Sequence, residues 1–182
     1  MNEDELAESR AQWRHRGSGR PDWAIQPGPG QESVWDYPRP PRLEADTRLV
    51  RVVWRNAVIA ESSQAIRVLE TASPPTFYIP PQDVRTELLS RARGASLCEW
   101  KGSATYWSLD VDGRTIDQAA WSYEAPFIDF VGIRGYFGFY PSKLECYVGE
   151  HRATAQSGGF YGGWVTADVV GPFKGEPGTG AW

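Results

Sequence analysis

Glu70 and Lys101 are the two charged residues whose sequence surroundings give them a chemical role. Glu70 ends the β-type run Ala65-Ile66-Arg67-Val68-Leu69-Glu70. Alternate positions of such a run face a core, so the carboxylate is expected to point toward a pocket as an acceptor or general base. A carboxylate facing solvent or beside Arg67 fits the same position. Lys101 sits between Trp100 and Gly102, where glycine allows close backbone approach and an indole can desolvate the amine or stack on a ligand. A depressed pKa would make Lys101 a nucleophile or proton carrier, and a lysine on a surface turn is the plainer alternative. Tyr78, Trp100, Tyr106, Trp121, Tyr123 and Phe139 are candidates for the wall of a cavity between sheets, because small-ligand sites combine aromatic walls with few polar handles. Ordinary core packing explains the same six residues.

Other chemistries lack their residues. Cys98 and Cys146 are far apart and neither belongs to a Cys-x-x-Cys pair, which leaves a zinc ribbon, a redox dithiol and a disulfide scaffold without support. His15 and His151 have no thiolate or carboxylate neighbours at metal-ligand spacing, so no metal and no cofactor are expected. Gly132-Ile133-Arg134-Gly135 and the run Gly158 to Gly163 lack the Lys-Ser/Thr ending of a phosphate loop. Ser62, Ser63 and Ser122 have no nearby histidine or nucleophile elbow, and Asp110 and Asp112 flank a turn, where carboxylates are ordinary. With 19 Lys and Arg against 23 Asp and Glu, the net charge is −4 over 182 residues, a poor match to a nucleic-acid binder. The opening residues show no basic region followed by an apolar run, and no stretch reaches the roughly 18 apolar residues of a membrane span. The chain is therefore read as cytoplasmic, without nucleic-acid or membrane partners.

The elements that must position these residues are short. Residues 2 to 15 are good helix formers with a weak apolar face at Leu6, Ala7, Ala11 and Trp13, which predicts a short, fraying helix. Between Gly17 and Pro41, repeated prolines and glycines predict an extended arm, whose Trp23, Trp35 and Tyr37 suggest docking on the domain. Leu49 to Trp54 and Val58 to Ala60, joined by Arg55-Asn56, read as a hairpin; Ala65 to Glu70 and Thr76 to Ile79 are two further strands, separated by Pro74-Pro75. Gln82 to Leu89 is expected to be a short amphipathic helix closed by Gly94. Ser103 to Val111, the Asp112-Gly113 turn and Thr115-Ile116 form the strongest hairpin signal. Gly135 to Pro141 and Lys143 to Val148 complete the strands. The pattern predicts a mainly β, antiparallel domain of short strands with one short helix over residues 46–156. An extended arm, 1–45, precedes it, and a Gly/aromatic-rich arm, 157–182, follows.

Four segments in order carry a resemblance: Ile59 to Thr71, Pro74 to Pro80, Cys98 to Tyr106 with its Trp100-Lys101-Gly102-x-Ala104-x-Tyr106 core, and Ala120 to Tyr123. Together they resemble the bacterial domain of unknown function family numbered 427, which carries a nucleotidyltransferase-like label without established chemistry. The resemblance covers about residues 48 to 148. Gln64 departs from the arginine more usual at that place, which leaves no anion contact to assign there. The resemblance implies a β-tent (Mss4-like) architecture, two antiparallel sheets meeting at an angle, similar to folds that elsewhere hold zinc or a small ligand; this chain lacks the thiols for zinc. The leading expectation is a metal-free domain that binds a small organic ligand between its sheets. The alternatives are an enzyme, such as a transferase, with Glu70 as base and Lys101 as cation, and an interaction module. In the latter, Trp23, Trp35 and Trp182 on the arms anchor a partner or another copy in a homo-oligomer.

Overall fold

A computed structural model describes residues 3–182. The helix expected over 2 to 15 is α1 (Glu3–Ala11), which buries none of its residues, in keeping with its weak face; Asn2 lies outside the described residues. The arm then runs through a short strand, β1 (Glu32–Ser33), and a single 3-10 turn, Val34–Asp36. From there the chain is strand after strand: β2 (Arg42–Asp46), β3 (Val50–Trp54), β4 (Ala57–Ser62), β5 (Ala65–Glu70) and β6 (Ser73–Tyr78). The long meander β7 (Leu89–Cys98), β8 (Gly102–Val111) and β9 (Arg114–Ser122) follows. It leads to β10 (Phe137–Phe139), β11 (Glu145–Val148), β12 (His151–Arg152) and β13 (Thr154–Ala155), and β14 (Trp164–Val165) and β15 (Val169–Val170) lie in the C-terminal arm.

These strands form several small sheets, in the orders β2-β5-β6, β10-β9-β8-β7 and β12-β11-β3-β4, with the pairs β13-β14 and β1-β15. All pairings are antiparallel except β1 with β15, where one arm pairs with the other. Ile79 and Phe137 exchange two backbone hydrogen bonds of 2.9 Å, joining the β2-β5-β6 sheet to the edge of the four-stranded meander. Of the packed clusters, one fills the space behind the meander with Val52, Ile59, Leu109, Ala120, Phe139 and Trp164. A second, around Val68, Tyr78, Ala104, Trp121 and Tyr123, lies between the two joined sheets.

The segment 82–89 is not an amphipathic helix. It forms two separate 3-10 turns, Pro81–Asp83 and Thr86–Leu88, because Val84 is bridged to Ala60, Arg85 N donates to Ile59 O at 2.8 Å, and Ser62 Oγ donates to Asp83 Oδ2 at 2.6 Å. Those bonds bind the segment along β4, and tertiary pairing overrides a marginal helix preference. Gly94 caps nothing. It lies inside β7 at φ 89°, where the β7–β8 register shifts between Arg91 and Ala95, a bulge that suits glycine. Pro74 and Pro75, expected between strands, lie inside β6. That strand is at the edge of its sheet, so the missing N–H groups break no central ladder.

Candidate functional site

Alternation along the strands decides which side chains meet between the joined sheets. On β5, Val68 and Glu70 share one face, while Leu69 points to the opposite side, into the cluster formed with Trp35 and Tyr37 of the N-terminal arm. Thr76 and Tyr78 of β6 stand beside them. From the meander come Ser96 and Cys98 of β7, Ala104 and Tyr106 of β8 and Trp121 of β9, since Ser96 pairs with Ala104, and Tyr106 with Trp121, on the same face. The result is a cavity of about 260 Å³. Trp121 Nε1 spans the two sheets by donating to Tyr78 Oη at 3.1 Å, and Tyr106 Oη donates to Ser96 Oγ at 2.8 Å.

Of the eight residues expected at a site, Glu70, Tyr78, Lys101, Tyr106, Trp121 and Tyr123 line this cavity. Phe139 does not. It pairs with Ala120, the neighbour of Trp121 that faces the other way, so it packs in the core behind the sheet, with its carbonyl accepting from Trp164 Nε1 at 3.0 Å. Trp100 does not line the cavity either; it is buried in the β7–β8 turn as part of the cluster with Tyr78 and Trp121, with Arg10 5.2 Å from its ring centre. The Trp100 to Tyr106 segment thus has a simple geometry. Lys101 enters the cavity from the turn, small Ala104 leaves room in front of it, and Tyr106 follows two residues on along the same face. Gln64 lies exposed at the β4–β5 turn, away from the cavity.

The arms supply the rest of the wall, including residues that sequence reasoning missed. Trp13, Phe160, Tyr161 and Lys174 line the cavity, with Gln156 just ahead of the C-terminal arm. Trp13 is fixed by Nε1 donating to Glu99 Oε1 at 2.8 Å. The arms are bound to each other by rings: Trp23 and Trp182 stack at 4.7 Å, and Trp35 meets Trp23 edge-on at 4.6 Å and Trp182 at 5.3 Å. Trp121 is held between glycines of both regions. A Cβ at Gly138, its partner on β10, would come within 2.5 Å of Trp121 Cζ2, and one at Gly162 within 2.2 Å of Trp121 Cη2. Within the glycine-rich run 158–163, unsuited to phosphate, Gly162 therefore lets the arm lie against an indole.

The site holds a chain of charges. Glu70 is paired not with Arg67 but with Arg39 of the N-terminal arm, Nε to Oε1 at 3.2 Å; Arg67 pairs instead with Glu32 and Glu44. The Arg39 side chain is 0% exposed and also donates to Thr71 O at 2.7 Å and to His15 O and Trp182 O at 3.0 Å each. Burial lowers its guanidinium, and Glu70 opposes that. Lys101 and Lys174 then differ. Burial works against the Lys101 ammonium, but Cys98, Tyr78 and Glu70 outweigh it and push the group above the usual lysine range. Burial also dominates at Lys174, where Arg39 reinforces it against the pull of Glu70 and Glu99, and the pKa falls to about 8. Burial raises the phenols of Tyr78 and Tyr123, which remain neutral donors and acceptors.

Among the described residues no group of three or more His, Cys, Asp and Glu is arranged to hold a metal ion, and no helix is long and apolar enough to cross a membrane. In comparison with known families, residues 42–150 match the family model described as a domain of unknown function, DUF427. The nucleotidyltransferase-like label belongs to that family's name and not to a described activity. No curated protein matches the chain.

Proposed function

The chain belongs to the DUF427 family, and from that premise we propose that it binds a small organic anion with a flat apolar part in the cavity between its joined sheets. The observation that carries this reading is the composition of one cavity wall: aromatic faces from both sheets and both arms, interrupted by two amines, Lys101 and Lys174. Aromatic walls with a few convergent polar groups are what small-ligand sites use, and the ammonium groups select an anionic end. Glu70, already neutralised by Arg39, favours the Lys101 charge rather than repelling the ligand. Cys98, half-buried beside Lys101, adds a soft polar contact. The matched span provides the sheets, and the arms provide further wall residues, Trp13, Phe160, Tyr161 and Lys174.

Native mass spectrometry of gently purified full-length chain, compared with the same sample after denaturation, tests this directly. The expected result is a releasable mass. Titration with aromatic carboxylates is the second readout, since Trp13 and Trp121 line the cavity and their fluorescence responds to an occupant. A clean mass together with unresponsive tryptophans would overturn the reading.

A further inference from the structure

The two cavity lysines are unusual for this chain. Only three of the nineteen Lys and Arg residues are lysines, and two of those three face one cavity. The third, Lys143, is exposed and bonded to Asp117 O and Gln118 O at 2.8 and 3.0 Å. Arginine stays charged and cannot attack carbon, whereas a lysine amine can once it loses its proton. Apart from Lys143, the side-chain cations elsewhere in the chain are arginines, so the choice of lysine here points to the amine itself.

Lys174 has the surroundings of such an amine. The residue is 5% exposed, and its Nζ lies 3.5 Å from the centre of the Trp13 ring and 5.5 Å from that of Tyr161. Its backbone is fixed on both sides: the N–H donates to Ala72 O at 2.7 Å, and the carbonyl accepts from Gln156 Nε2 at 2.7 Å. The carboxylates that could neutralise it are engaged elsewhere, Glu70 by Arg39 and Glu99 by the Trp13 indole N–H. An aromatic face holds the nitrogen in either charge state, because it attracts an ammonium and also accepts an N–H from a neutral amine. With the pKa at about 8, roughly a tenth of the amine is unprotonated at pH 7, against less than about a thousandth for an ordinary lysine. Lys101, pushed the other way, remains a cation and is not the nucleophile.

We propose that Lys174 forms a reversible imine with the aldehyde or ketone carbonyl of a small aromatic carboxylate, whose anionic end is met by Lys101. This rests on the ligand-binding reading above and names its substrate class. The neutral Nζ lone pair attacks the carbonyl carbon and forms the C–N bond, while the carbonyl π pair moves to oxygen, which takes a proton. The nitrogen gives up its two hydrogens as the carbinolamine collapses to C=N, so the carbonyl oxygen leaves as water. Nothing is oxidised or reduced, and the reverse step needs only water.

The test uses the full chain with 4-carboxybenzaldehyde as probe and sodium cyanoborohydride to trap the imine, read by intact and peptide mass. A single saturable adduct at Lys174 is expected, lost in Lys174→Arg and weakened in Lys101→Met. 4-(Hydroxymethyl)benzoate, which has no carbonyl, is expected to compete. Mapping on the unmodified chain keeps the result independent of how the variants fold. An adduct on Lys101, or one spread over Lys143 and other amines without saturation, would overturn the proposal. If the alcohol quenches tryptophan fluorescence but the aldehyde gives no Lys174 adduct, the imine is wrong and the binding site stands. If neither compound binds, both fall.

Discussion

Lys101 and Lys174 face the same cavity from different regions, one from a turn of the matched β domain and one from the C-terminal arm, and their basicities move in opposite directions. Burial disfavours the charge of both. Glu70 and Cys98 pull on both; what separates them is that Tyr78 and a hydrogen bond to Cys98 add to the pull at Lys101, while at Lys174 the like charge of Arg39 adds to burial. Arg39 therefore does two things through one set of contacts. It ties both arms to β5, and it sets the sheet side of the cavity apart from the arm side. Burial by itself does not settle a buried amine's state: at Lys174 it prevails, and at Lys101 the neighbouring groups outweigh it.

Breaking Arg39 should narrow this difference, and it carries the largest expected effect on the fold. Arg39→Met leaves Glu70 unpaired and frees the carbonyls of Thr71, His15 and Trp182, and loss of one partner of a buried pair costs on the order of 3–5 kcal/mol. A lower urea midpoint is expected, with limited proteolysis cutting within 1–45 and 157–182 before the 42–150 span. Uniform cutting would mean that the stacked rings of Trp23, Trp35 and Trp182, not Arg39, hold the arms.

A pH series sharpens the comparison between the two lysines. Because Lys174 titrates near 8 when folded and near 10.5 when unfolded, the unfolded chain binds more protons in that window, so this group makes stability rise with pH between the two values. Below pH 8 its burial costs stability, with an upper bound of about 3 kcal/mol. Lys174→Met is accordingly expected to be more stable than the parent at pH 7, with an advantage that shrinks from pH 8 and vanishes near 10.5. Lys101 has the opposite sign. Its folded pKa lies above 10.5, so its contribution is fully present below that pH, and Lys101→Met is expected to be destabilised equally at pH 7 and pH 9. Urea midpoints of the three chains at several pH values check both. Parallel curves would remove the distinction between the lysines.

The smallest expected effect concerns the contact where the regions touch. Gly162→Ala forces a Cβ against the Trp121 ring, an overpacking cost of about 1–3 kcal/mol. The arm lifts or the indole turns, so weaker binding of aromatic carboxylates should accompany the stability loss in fluorescence titrations. Unchanged affinity would show that the arm does not complete the cavity.

The strands and their hairpins were legible in the sequence because period-two alternation and turn residues are local signals. Arg55-Asn56 and Asp112-Gly113 both form turns with positive φ where the pattern places them. The same alternation directs Glu70 to the cavity face. It failed for Phe139, since an aromatic in a short run can face either side until its partner is known, and here that partner is Ala120. Helical signals misled at 82–89 because the pairing with β4 that decides its conformation lies outside the segment. Lys174 gave one weak signal, a lone lysine between Phe173 and Gly175 in an arm full of aromatics. Nothing local tells such a lysine from one in solvent.

By itself the sequence determined a mainly β domain of short antiparallel strands and the family to which its central span belongs, because alternation, turn residues and motif order are local; it offered eight site candidates, of which six line the cavity. Only the tertiary structure decided that the arms contribute to the cavity wall, that Glu70 answers to Arg39, and that one lysine keeps its proton while the other sheds it more readily. Those outcomes depend on distances between residues far apart in the chain, and electrostatic and packing energies depend on distance in space rather than on position in sequence.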